Sequence, residues 1–107
     1  MSDRDLLTRD DLLQYYDLEK VVMVSSSYTV KDSDDILFVT ANSPVSITFP
    51  LAKGGRRVII SRIAGSSPVT LVAPSGQTID GASTQTISTS FTPYRLKAVK
   101  GLGYLGI

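Results

Sequence analysis

The chain contains no Cys, no His and no Trp. Without Cys there is neither a disulfide framework nor a thiolate metal site, an absence that fits a reducing compartment. Without His the usual general base and the commonest transition-metal ligand are both missing. Ser and Thr are plentiful, yet no imidazole exists to activate them as nucleophiles. The missing Trp removes the best stacking surface for a sugar, and Tyr94 and Tyr104 read as sheet-packing residues instead. Apolar runs are short and none approaches the ~18 residues of a membrane span. The N-terminus is acidic, unlike the basic start of a signal peptide.

What is present is a small chain of 107 residues, 42% hydrophobic and 20% charged. That composition belongs to a folded protein of one domain with room for an appended arm. A domain of this size buries a modest share of its surface, so oligomerisation is expected. The net charge of +1 conceals a division. From Met1 to Lys20 the acids Asp3, Asp5, Asp10, Asp11, Asp17 and Glu19 face Arg4, Arg9 and Lys20, a net charge of −3. The remainder carries eight bases against Asp32, Asp34, Asp35 and Asp80, a net charge of +4. Arm and body are electrostatically complementary. A solvated helix face is one reading of the acids. An arm lying on a neighbouring body, or on a basic patch of another protein, is the other.

The first segment, residues 1–24, reads as a helical arm. Thr8 and Asp11 have capping-box spacing, with Ser2 and Asp5 as an earlier start. Leu6, Leu12, Leu13 and Tyr16 then form a partial apolar stripe. A helix of about 8–12 residues is marginal alone, so that side needs a partner: its own β body or a surface elsewhere. The second reading is preferred, because the body reads as complete without the arm.

Residues 25–107 read as a β domain. Tyr28-Thr29-Val30 is a strand and Lys31 to Asp35 a polar turn, while Val21 to Val24 is a short apolar run ahead of both. Ile36 to Val39 reads as a buried strand. Val45 to Phe49 alternates, so Val45, Ile47 and Phe49 face one core. Further strands follow at Val58 to Ile63, Val69 to Val72, Thr86 to Ser88, Tyr94 to Val99 and Tyr104 to Ile107. Short strands with turn signals every ~8–12 residues indicate an all-β fold, a small antiparallel sandwich or barrel-like domain with an N-terminal helical arm.

Chemistry-bearing groups are few. Asp32, Asp34 and Asp35 read as a solvated turn; a hard-cation site is the minor alternative, lacking the Gly and distal Glu of an EF-hand loop. Lys53-Gly54-Gly55-Arg56 reads as a hairpin turn rather than a phosphate cradle, since it lacks the P-loop pattern. Basic residues are dispersed and aromatics do not interleave with them, which argues against nucleic acid. No catalytic, cofactor or metal residues emerge, and the expectation is a non-enzyme. The stretch Gly76 to Ser83 reads as a structural loop: Gly76 and Gly81 permit the bend, Ile79 plugs the core and Asp80 supplies turn chemistry.

Taken in order, these pieces resemble a small β module of tailed-bacteriophage virion proteins, found in tail fibres, tailspikes and capsid appendages. The resemblance is carried by Tyr28-Thr29-Val30 with Asp34 to Leu37, Val45 to Ala52, Arg57 to Ile63, Val69 to Pro74, Gly76 to Ala82, Tyr94-Arg95-Leu96 and Gly103-Tyr104-Leu105. It covers residues 28–107. Similar modules often close on a strand containing Trp, where this chain has Gly103-Tyr104. The resemblance implies a virion structural protein assembled in the host cytoplasm, with no catalytic residues and no membrane or nucleic-acid partner. It implies a homotrimer, whose partner is the major capsid protein or another virion protein. Capsid decoration, with Leu6, Leu12, Leu13 and Tyr16 anchoring the arm, is the first expectation. A tail-fibre or tailspike receptor-binding module, acting through loops 42–44, 65–68 and 76–81, is the alternative.

Overall fold

A computed structural model describes residues 20–107, and the arm residues Leu6, Leu12, Leu13 and Tyr16 lie outside them. The described chain forms ten strands: β1 (Val21–Val24), β2 (Tyr28–Thr29), β3 (Ile36–Val39), β4 (Val45–Thr48), β5 (Arg57–Arg62), β6 (Val69–Val72), β7 (Thr78–Ile79), β8 (Thr84–Ile87), β9 (Tyr94–Val99) and β10 (Gly103–Gly106). They make two sheets, in the orders β1-β3-β5-β9-β10-β7 (sheet A) and β2-β4-β6-β8 (sheet B). The all-β expectation holds at this level. The stretch Val21 to Val24, grouped with the arm on sequence grounds, is strand β1, so the β body begins at Val21.

The expectation of an antiparallel sandwich needs correction. From β1 to β9 each strand lies in the sheet opposite its predecessor's, so the chain winds as a short two-sheet solenoid. Successive passes through one sheet then run the same way, and β1-β3-β5 and β2-β4-β6 pair in parallel. Parallel neighbours need a crossover connection; here the crossover is the intervening strand of the other sheet. The winding ends at the C-terminal side. β8 folds back antiparallel on β6 and β9 on β5, and the β9-β10 hairpin turns through Gly101 at φ 82°. β10 finally pairs parallel to β7. Gly103 permits that closure: a Cβ there would lie 2.0 Å from the Thr78 carbonyl oxygen.

Alternation along each strand sends one set of side chains between the sheets. Leu37, Val39, Val58, Ile60 and Leu96 come from sheet A, and Val45, Ile47, Val69, Leu71 and Ile87 from sheet B, all in one buried cluster with Phe49 and Ile79. The second and third coils repeat one another. Ser43-Pro44-Val45 at the entry to β4 matches Ser67-Pro68-Val69 at the entry to β6, and Val45 pairs with Val69 in register. Each Pro precedes its strand and so leaves the ladder intact.

Two neighbouring positions on β4 test this arrangement. Ile47 is fully buried and Ser46 faces solvent. Ile47→Ala is expected to cost about 2–5 kcal/mol and Ser46→Ala less than about 0.5 kcal/mol, both read from urea unfolding.

Candidate functional site

The loop between β7 and β8 acts as a fastening. Ile79 is fully buried, and its backbone exchanges hydrogen bonds with Ala82 at 2.7 and 3.1 Å. Asp80 takes a left-handed conformation (φ 50°), which a short polar side chain tolerates. Its carboxylate accepts from Tyr94 Oη at 2.6 Å and from the Gly106 backbone N–H at 2.7 Å. Asp80 thereby ties the last strand to β9 and the loop. Burial, then the Asp80 carboxylate, pushes the Tyr94 phenol up to about 12. Gly76 and Gly81 sit at φ 82° and 86°, where a side chain would be strained.

The Asp32, Asp34 and Asp35 carboxylates diverge. Asp32 pairs with Lys53 Nζ at 2.7 Å, which lowers its pKa. Asp34 is fully buried and accepts from Tyr28 Oη at 2.6 Å and the Lys31 N–H at 2.9 Å. Asp35 accepts from the Lys20 N–H at 2.8 Å, while the Asp35 and Ile36 N–H groups donate to the Lys20 carbonyl. Among the described residues no group of three acidic side chains converges on a point where a metal ion could sit. The arrangement is a knot that pins the first coil to the second. The Tyr28 phenol is pushed up to about 12, first by its hydrogen bond to Asp34 and then by burial.

The Lys53 to Arg56 turn is likewise internally engaged. Gly55 N–H donates to the Ala98 carbonyl, and the Gly55 carbonyl accepts from Lys97 Nζ at 2.9 Å. Tyr104 is buried, donates to the Pro50 carbonyl at 2.7 Å and packs on Phe49 with centroids 4.8 Å apart. Arg62, which sequence reasoning missed, is buried, and among the described residues no carboxylate pairs with its guanidinium. Its nitrogens donate to Ser90 Oγ and to the Ser67 and Ser88 carbonyls at 2.8–3.1 Å, clasping three loop residues. The signal available in the sequence was its inward register two residues after Ile60.

Of the three loops considered for receptor binding, 42–44 and 65–68 adjoin, with Ser67 Oγ donating to the Asn42 carbonyl. Loop 76–81 lies at the opposite turn of the winding, beyond β6. A cleft of about 170 Å³ lined by Thr86, Ser88, Thr92, Pro93 and Tyr94 carries no charged group. It is smaller than the ~300–1,000 Å³ of ordinary ligand pockets.

The most distinctive surface is the outer face of sheet A. With Leu37 and Val39 pointing in, Ile36 and Phe38 point out; register places Val21 and Met23 on one side of them and Ile59 on the other. None of these five belongs to the core cluster, and Met23 is 60% exposed. Parallel strands normally have both faces covered. Beyond Ile59 the face turns basic: Arg95 is opposite Ile59 and Lys97 is opposite Arg57, followed by the exposed Leu105. An apolar patch with a charged rim suits a protein surface rather than a small molecule.

No family model matches the chain, and no curated protein or solved structure is significantly similar to it. No helix among the described residues is long and apolar enough to cross a membrane.

The two phenols set an alkaline limit. With folded-state values above the unfolded value near 10, their contribution to stability is complete below about pH 10 and is lost as pH rises towards about 12. The urea midpoint should fall through that window. Tyr28→Phe should lower stability at pH 7 and flatten the alkaline fall; a fall equally steep in Tyr28→Phe/Tyr94→Phe would contradict the assignment.

Proposed function

We propose that the chain is a structural protein of a tailed-bacteriophage particle, specifically a capsid decoration or cementing protein. The observation that carries an assembly role is the outer face of sheet A, where Val21, Met23, Ile36, Phe38 and Ile59 are presented beside Arg57, Arg95 and Lys97. Such a face is built for a macromolecular partner. The resemblance of residues 28–107 to virion β modules supplies the setting.

In this reading the winding core is a rigid platform, and the N-terminal segment anchors it. Leu6, Leu12, Leu13 and Tyr16 bury apolar surface on the shell or on a neighbouring subunit, worth at most about 1.5–3 kcal/mol per large side chain. The partners are the major capsid protein, or another virion protein, and further copies of the chain in a homotrimer. Ser, Thr and Tyr groups at the turns engage one another and the backbone, as do Arg62, Asp80 and Tyr104. They serve shape, and the reading assigns no catalysis and no cofactor.

Copy number tests the proposal. Quantitative mass spectrometry of purified particles should find the chain in numbers that follow the shell, in the hundreds. A dozen or so copies would place it in the tail and favour the attachment-module reading; none would remove it from the particle.

A further inference from the structure

We propose that the outer face of sheet A is the docking surface for residues 1–19 of a second copy of this chain. The proposal deepens the reading of the arm as a subunit anchor and rests on that reading for the arm alone, not on where the assembled protein sits.

Three observations favour this occupant. The first is shape and chemistry. The face is apolar across β1 and β3 and at Ile59 of β5, and basic at Arg57, Arg95 and Lys97. From β1 to β9 it spans about 14 Å at the usual strand spacing, a width that one α-helix of about 10–12 Å diameter covers. Residues 1–19 offer Leu6, Leu12, Leu13 and Tyr16 for the apolar part.

The second is charge. A bare second body would bring its own net charge of +4 to this basic rim. Six of the ten acidic residues lie in the first 19 positions, where only Arg4 and Arg9 oppose them. The acidic segment satisfies the rim where another body would repel it.

The third is the connection. Lys20 is held by backbone bonds to Asp35 and Ile36, which fixes the direction in which the chain enters β1. To cover its own sheet the preceding segment would have to reverse at that point. Between Leu12 and Val24 the sequence has no Gly, Pro, Asn or Ser, leaving Asp17 as the lone turn-forming residue. A connection poor in turn residues favours reaching a neighbour over folding back, the logic of exchanged arms. Exchanged reciprocally between two copies the arm makes a dimer, and passed head-to-tail it makes a ring where the rotation closes, as in the trimer expected above.

The test uses the full chain and two double variants, followed by light scattering with circular dichroism as the folding control. Leu12→Asp/Leu13→Asp disables the arm, and Val21→Lys/Met23→Lys disables the face at exposed positions. The wild type should associate, and each variant should be monomeric, with self-affinity reduced at least about tenfold. Mixed together, the two should form a one-to-one complex, because one supplies an intact arm and the other an intact face. A monomeric wild type, a face variant that associates like the wild type, or a mixture that stays monomeric would overturn the proposal. Should the face variant lose its β spectrum, Arg95→Glu, at an exposed rim position, replaces it: weakened association supports the proposal and unchanged association overturns it. Arm-dependent association without particle binding would sink the shell reading alone, and particle binding by a monomeric chain would sink this one alone.

Discussion

Everything in this molecule depends on one packing constraint: each short strand must bury one side against the opposite sheet before the chain moves on. Val45, Ile47, Leu37 and Val39 meet Val69, Leu71, Val58 and Ile60 in a single core. Over β1 to β6 consecutive strands alternate between sheets and each coil stacks on the last in the same direction, so the ladders there are parallel; β8 and β9 alternate too but fold back antiparallel. The polar groups then serve the turns. Asp34 with Tyr28 fastens the first coil, Arg62 clasps one set of corners, and Asp80 with Tyr94 locks the closing strands. Asp34 and Arg62 are buried and held by hydrogen bonds, the form in which a buried charge is tolerated, whereas Asp80 is exposed.

Parallel stacking also explains the face that no described residue covers. An inner strand of such a winding has neighbours on both edges and a core on one side, leaving its other side to be covered by something else. In β3 the run Ile36-Leu37-Phe38-Val39 is apolar at every position, although only Leu37 and Val39 enter the core. The same holds at β1, where Val21 and Met23 face away from Val22 and Val24. In the proposed docking, the face and the acidic N-terminal segment are complementary halves of one interaction.

Strand positions were legible in the sequence because the residues are β-branched or apolar and the breaks are marked by Gly, Pro and Asp. Val45, Ile47 and Phe49, read as facing one core from their alternation, are buried there. Pairing direction was not legible from these local signals, since a hairpin and a coil of a solenoid have the same strand lengths and similar turns. The usable signal was the match between Ser43-Pro44-Val45 and Ser67-Pro68-Val69, which marks equivalent points of successive coils. The Ile79 plug could be read from a lone apolar residue among turn formers. The roles of Asp34 and Arg62 could not: the phenol on Asp34 comes from Tyr28 on β2, and Arg62 reaches three loop residues, Ser67, Ser88 and Ser90, that only the winding brings together.

The central claim is that the outer face of sheet A receives the N-terminal segment of another copy. The chain has no native Cys, so a single introduced Cys carries a spin label without interference. The most direct measurement mixes unlabelled-isotope chains bearing a spin label at Ser2→Cys with ¹⁵N-labelled chains lacking it. The account predicts that amide signals of Met23, Ile36, Phe38 and Ile59 in the isotope-labelled copies broaden, while those of Ser46 and Thr70 on the far sheet do not. Unchanged signals at those four residues, or broadening spread evenly over both sheets, would contradict it.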